Sequence, residues 1–171
     1  MIKFSKDTFT VYARNFIFGV EDSLVSTVGL LSGVAVADLP RKTIFLTGVV
    51  LIFVEAFSMG VGSFLSEHSI EKFKTGKEKA STKSLLGGVI MFVSYFSSGF
   101  VPLLPYVYFQ TSLAFGFSIL ISLLSLFLLG VISAKIFKIN LVRNGFEMFL
   151  LGGSAILMGI IVGVMLRNIS I

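Results

Sequence analysis

Long apolar runs separated by short polar or turn-forming segments dominate this chain. A helix that crosses a hydrocarbon layer about 30 Å thick needs about 20 mostly apolar residues, at a rise of about 1.5 Å each. Five runs reach that length, at about 15–37, 43–65, 85–107, 111–134 and 146–166. None shows the short strict alternation of a membrane barrel. Backbone groups in lipid must find their partners within the segment, which favours helices. The pattern therefore predicts an all-α integral membrane protein with five transmembrane helices, forming one domain over residues 1–171. Pro40, beside Asp38, Arg41 and Lys42, marks the first turn. Residues 66–84 form the one sizeable polar segment and read as a loop. The run that ends at Ala35-Val36-Ala37 imitates a cleavable leader, but Glu21 and Asp22 lie inside it, so it reads as a permanent helix.

Composition agrees and removes several function classes. Charged residues make up 13% of the chain and hydrophobic residues 55%. A soluble domain carries about 25% charged residues, and disordered chains are richer still in polar groups. There is no Cys, which excludes disulfides, thiolate zinc sites and iron–sulfur ligation. His68 is the single His, so one chain cannot build a multi-His cage. No nucleophile–base constellation, phosphate-binding loop or cofactor motif is present, and neither enzyme activity nor a cofactor is expected.

The net charge of +5 is a topology signal. With the N-terminus inside, the cytoplasmic segments hold Lys3, Lys6, Arg14, Lys72, Lys74, Lys77, Lys79, Lys83, Lys135, Lys138 and Arg143. The other side holds Arg41, Lys42 and Arg167. Eleven cations against three fit the positive-inside rule and predict a cytoplasmic N-terminus and a cytoplasmic 66–84 loop. The Lys-rich loop suits anionic lipid headgroups better than nucleic acid.

Acids at membrane depth carry the chemistry. Each costs at least a few kcal/mol at mid-bilayer unless paired, protonated or metal-bound. Glu21, Asp22 and Glu55 fall inside the spans. On the first helix Asn15, Gly19, Asp22, Ser26, Gly29 and Gly33 recur at helical spacing on one face. On the second, Gly48, Glu55, Met59, Gly62 and Ser66 do the same. If the two faces meet, Asp22, Glu55 and Met59 line a narrow polar path. Carboxylate oxygens with a thioether suit a borderline first-row ion such as Fe²⁺ or Mn²⁺. Met59 alone would read as core filling, but it stands one turn from Glu55 on the same face. Glu21 points about 100° away from Asp22 and reads as a second ligand, a proton site or a helix-pairing group. The glycines of the fifth helix, Gly152, Gly159 and Gly163, read as helix-packing positions. Glu67, His68 and Glu71 would neighbour one another on a helix as a cytoplasmic cation-capture group, although a solvated helix end is the simpler reading.

Four blocks in order carry a family resemblance. VEDSLVSTVGLLSGVA, EAFSMGVGSFLSEHS, VPLLPY and FEMFLLGGSAILMGIIVG resemble the first, second, third and last helix patterns of the vacuolar iron transporter family. The resemblance implies a five-helix homodimer that moves Fe²⁺, and often Mn²⁺, out of the cytosol in exchange for protons. It implies a path between protomers lined by the first helix, with Asp22 and Met59 as metal-path residues and Ser58 beside them. Pro102 and Pro105 match positions that shape the end of the third helix. The chain departs from the pattern at Ser23 (usually Gly), Asn15 (often acidic), Ser63 (often Glu) and Leu51 (Glu in some members). Glu55 stands where a small residue is usual, one turn from Leu51, and reads as a replacement path carboxylate. Residues 66–84 are too short for the Glu-rich metal-binding domain of larger members.

The expected function is export of Fe²⁺ or Mn²⁺ by proton antiport from a dimer-interface site, with Asp22, Met59, Glu55 and Glu21 as metal-site residues. Asn15, Ser26 and Ser58 would line the path. Compact size points to a prokaryotic inner membrane. The rival readings are a non-transporting interaction protein of the same fold and a transporter of another small solute.

Overall fold

A computed structural model describes residues 6–76, 78 and 80–167; Lys3, Lys77 and Lys79 of the cation count lie outside them. Five long helices form α1 (Lys6–Val36), α2 (Arg41–Thr75), α3 (Thr82–Leu103), α5 (Thr111–Phe137) and α6 (Leu141–Arg167), with the single-turn α4 (Pro105–Tyr108) between α3 and α5. No strand occurs among the described residues. All five long helices are apolar enough to cross a membrane, so the protein is a multi-pass membrane protein.

Two boundaries differ from the sequence pattern for physical reasons. The helix of the second span runs on to Thr75, so most of the polar 66–84 segment is helical. It ends only at Gly76, whose φ of 67° lets the backbone enter the left-handed region and close on the Lys72 carbonyl. The third span breaks at Leu104, because Pro105 has no amide to continue the ladder. Ser118 on α5 donates to the Pro102 carbonyl at 2.7 Å, giving a partner to a group at the end of α3.

Helix α1 is the central element. It packs against α3, α6 and α5, while α2 packs mainly against α3. The core has two parts. Leu31, Ile44, Ile52, Leu103, Tyr106 and Ala114 fill one half. Ile17, Leu24, Leu126, Leu129 and Met148 fill the other. The outer faces stay apolar and exposed, as at Phe57 and Leu150, which is how a protein with lipid as solvent looks.

Small residues set the helix spacing. Gly29 and Gly33 on α1 face Ala155, Gly159 and Gly163 on α6 at backbone contact. The packing reading of Gly159 and Gly163 therefore holds. On α2 the close approach is made by Gly60 against Gly88 of α3, not by Gly62, which has nothing near it.

The helix ends fall into two groups. Arg14, Glu67 and Lys83 bring the start of α1, the end of α2 and the start of α3 together. Asn144 donates to Gly130 at the α5–α6 junction. At the opposite end Arg167 pairs with Asp38, and Arg41 donates to the Phe109 carbonyl.

Candidate functional site

The small-residue stripe on α1 serves two neighbours. Its first part, Asn15 and Gly19, packs on α3 near Gly87, Met91 and Ser94. Its last part, Gly29 and Gly33, packs on α6. Asp22 and Ser26 fall between these two close glycine contacts. An open groove results, lined on α1 by Phe18, Glu21, Asp22, Val25, Ser26 and Gly29. Leu151, Ser154, Ala155 and Met158 of α6 form its other wall. Glu21 and Asp22 are both half-buried. They sit midway along the α1 span, the most costly depth for a charge.

Helix α2 supplies the third acid. Glu55 is half-buried and lies within electrostatic reach of Asp22. The antiparallel run of α1 and α2, tied at one end by Arg14 and Glu67, sets this level. Met59 is half-buried on the same face of α2, one turn toward the Lys-rich end. Ser58 is exposed on the outer side of α2. Asn15 is 2% exposed, and its side-chain nitrogen has no hydrogen-bond partner among the described residues. It lies in the α1–α3 contact rather than in the groove.

Tyr95 joins the group from α3, and the sequence reading missed it. It is fully buried. Its phenol oxygen lies 2.7 Å from Ser26 Oγ and within electrostatic reach of both Asp22 and Glu55. Its carbonyl accepts a hydrogen bond from Ser23 Oγ at 2.6 Å. Ser23 is the departure from the family's usual Gly, so that departure has a structural role: it fixes α3 against α1. The available signal was a lone Tyr on an otherwise small and apolar helix face, which by itself names no partner.

The Glu67, His68 and Glu71 group is arranged differently from a solvated helix end. Glu67 is only 5% exposed. Its two oxygens meet Lys83 Nζ at 3.0 Å and Arg14 Nη2 at 3.4 Å. Glu71 accepts the hydroxyls of Ser81 at 2.5 Å and Ser84 at 2.6 Å. The His68 ring stacks on Phe64 with centroids 6.0 Å apart. These acids bind α2 to α1 and α3. Glu67→Gln is expected to lower stability by about 1–2 kcal/mol. Loss of a buried partner costs about 3–5 kcal/mol when the remaining charge is trapped, but Arg14 and Lys83 keep access to water. Thermal unfolding in detergent checks this, with the exposed Glu147→Gln as a near-neutral comparison.

The geometry offers two to three hard oxygen donors and a hydroxyl pair at membrane depth. Among the described residues, one chain brings no group of three His, Asp or Glu side chains into a cluster able to hold a metal ion. The groove with Glu21 and Asp22 opens outward from a single chain. A family model described as the VIT family matches residues 13–85 and 70–164. No curated protein matches the chain.

Proposed function

The chain belongs to the VIT family, the vacuolar iron transporters, and from that membership and the geometry of α1 and α2 we propose that it exports Fe²⁺ or Mn²⁺ from the cytosol by proton antiport. The observation that carries this reading is that Asp22 and Glu55 lie within electrostatic reach of one another and of the Tyr95–Ser26 hydroxyl pair at membrane depth, with Glu21 beside Asp22 in the groove. Carboxylates there need a cation, a proton or a second polar surface. Metal and proton would alternate as their partners.

A homodimer completes the site. Each protomer supplies too few donors by itself, and a twofold axis would double the set. It would also cover Glu21 and Asp22, which otherwise face acyl chains. Met59 adds a softer donor on the cytoplasmic approach to Glu55, favouring Fe²⁺ or Mn²⁺ over Mg²⁺. Carboxylates that release the ion neutralise most cheaply by taking up protons, which couples the two flows. The excess of cations at the α1 start, α2 end and α5 end supports a cytoplasmic placement of that side. The host is proposed to be a prokaryotic inner membrane.

Purified protein in sealed vesicles, with a metal-quenched dye and a pH dye inside, tests the reading. Fe²⁺ or Mn²⁺ entry should move protons the opposite way, and an imposed acid-inside gradient should speed it. Metal flux indifferent to that gradient would remove the antiport. Tyr95→Phe should weaken metal affinity about fivefold, the worth of one hydrogen bond of about 1 kcal/mol, with a modest fall in Tm from the lost Ser26 bond. Unchanged affinity would reduce Tyr95 to a packing residue.

A further inference from the structure

At the end opposite the Lys-rich one, the start of α2 and the α3–α4 break form an open cavity of about 390 Å³ lined by Arg41, Lys42, Phe45, Tyr106 and Val107. Three independent features of this cavity favour an anion. Two of its five lining side chains are cations, and no acid lines it. Asp38, an acid of this end, is paired with Arg167 at 3.8 Å.

The second feature is the helix end itself. Pro40 occupies the cap position of α2, and no side chain caps the helix. The Pro40 carbonyl takes the amides of Thr43 and Ile44. Arg41 and Lys42 are the first two residues of the helix, whose amides lie ahead of its internal hydrogen-bond ladder. The positive end of a 35-residue helix dipole is thus left open beside two cationic side chains.

The third feature is Tyr106. It is 1% exposed and lines the cavity, yet its hydroxyl has no hydrogen-bond partner among the described residues. A buried donor without a partner costs free energy that a bound acceptor would return. Arg41 already donates one arm to the Phe109 carbonyl at 3.1 Å, which fixes the guanidinium at the rim. The remaining donors suit a tetrahedral oxyanion, which accepts from several directions at once. Phe45 and Val107 add apolar contact where α2 enters the hydrophobic layer.

We propose that this cavity is a phosphate-binding site, taking either the phosphodiester of a membrane lipid headgroup or free phosphate from the adjoining solution. It is separate from the Asp22 groove and does not depend on the transport reading.

The test uses the full chain in detergent. Native mass spectrometry with added phosphatidylglycerol reads lipid retention, and thermal melting with inorganic phosphate against chloride at equal ionic strength reads the free anion. Arg41→Gln/Lys42→Gln should bind about tenfold more weakly, the loss expected from charge-assisted contacts. Tyr106→Phe should bind about threefold more weakly while its Tm without ligand stays level or rises, since a hydroxyl without a partner has been removed. Lys135→Gln/Lys138→Gln, two cations at the opposite end, should change neither. Lipid retention that resists millimolar phosphate assigns the site to a headgroup, and displacement assigns it to the free anion. Equal binding by wild type and Arg41→Gln/Lys42→Gln overturns the proposal, as does an equal loss in the Lys135/Lys138 variant.

Discussion

Asp22→Asn is expected to cut Fe²⁺ and Mn²⁺ flux into vesicles by at least about 100-fold, because even an outer-sphere partner of a metal ligand is worth about 10- to 100-fold in affinity. The substitution keeps the volume and the half-buried setting of the side chain, so folding is preserved. Under the proposed mechanism it removes the charge that would hold Fe²⁺ and the group that would carry a proton back. It also relieves the repulsion between Asp22 and Glu55, so a small gain in Tm should accompany the lost flux. That opposite movement separates a functional acid from a structural one. Glu55→Gln should fall in the same direction by a smaller factor, about tenfold, if Glu55 supports rather than anchors the ion. Glu21→Gln tests the groove: a loss of flux matched by a loss of dimer places Glu21 at the subunit contact. Wild-type flux in Asp22→Asn would defeat the metal reading and favour an interaction protein of the same fold.

The five spans were legible because lipid imposes one rule on every residue of a crossing segment, and composition alone reports it. The acids were legible for the same reason, since Glu21, Asp22 and Glu55 break that rule. Partners were harder to read. A helical face tells which residues share a side, not which neighbour covers that side. The stripe from Asn15 to Gly33 was one face in the sequence, but α3 takes its first half and α6 its second. Gly60 lay outside the expected α2 stripe because its partner, Gly88, is 28 positions along and on another helix. Tyr95 was invisible for a related reason: its hydroxyl gains meaning only from Ser26 and two carboxylates on separate helices. Glu67 looked like a solvated helix end because its cations, Arg14 and Lys83, are distant in sequence. Once they neutralise it, burial costs little and α2 continues past the apolar span.

Gly159→Ala is expected to destabilise the protein by about 1–2 kcal/mol, although the same change in an open helix would stabilise it by up to about 1 kcal/mol. The sign depends on space. A methyl at Gly159 would press into the Gly29 carbonyl of α1, and one at Gly163 into the Gly33 carbonyl. Both obstacles are backbone, which cannot swing away as a side chain does, and overpacking of this kind costs about 1–3 kcal/mol. Gly153 lies on the same helix with nothing near its missing Cβ. Gly153→Ala should therefore be neutral or slightly stabilising. Thermal melting of the two variants side by side reads the contrast, and a higher Tm for both would show that α1 and α6 are not in backbone contact. The consequence reaches the site, because Gly29 and Asp22 are two turns apart on α1 and both line the groove whose far wall is α6. Forcing the helices apart widens that groove and shifts the level of Asp22 against Glu55. Metal affinity in Gly159→Ala should fall with stability, whereas in Gly153→Ala it should hold.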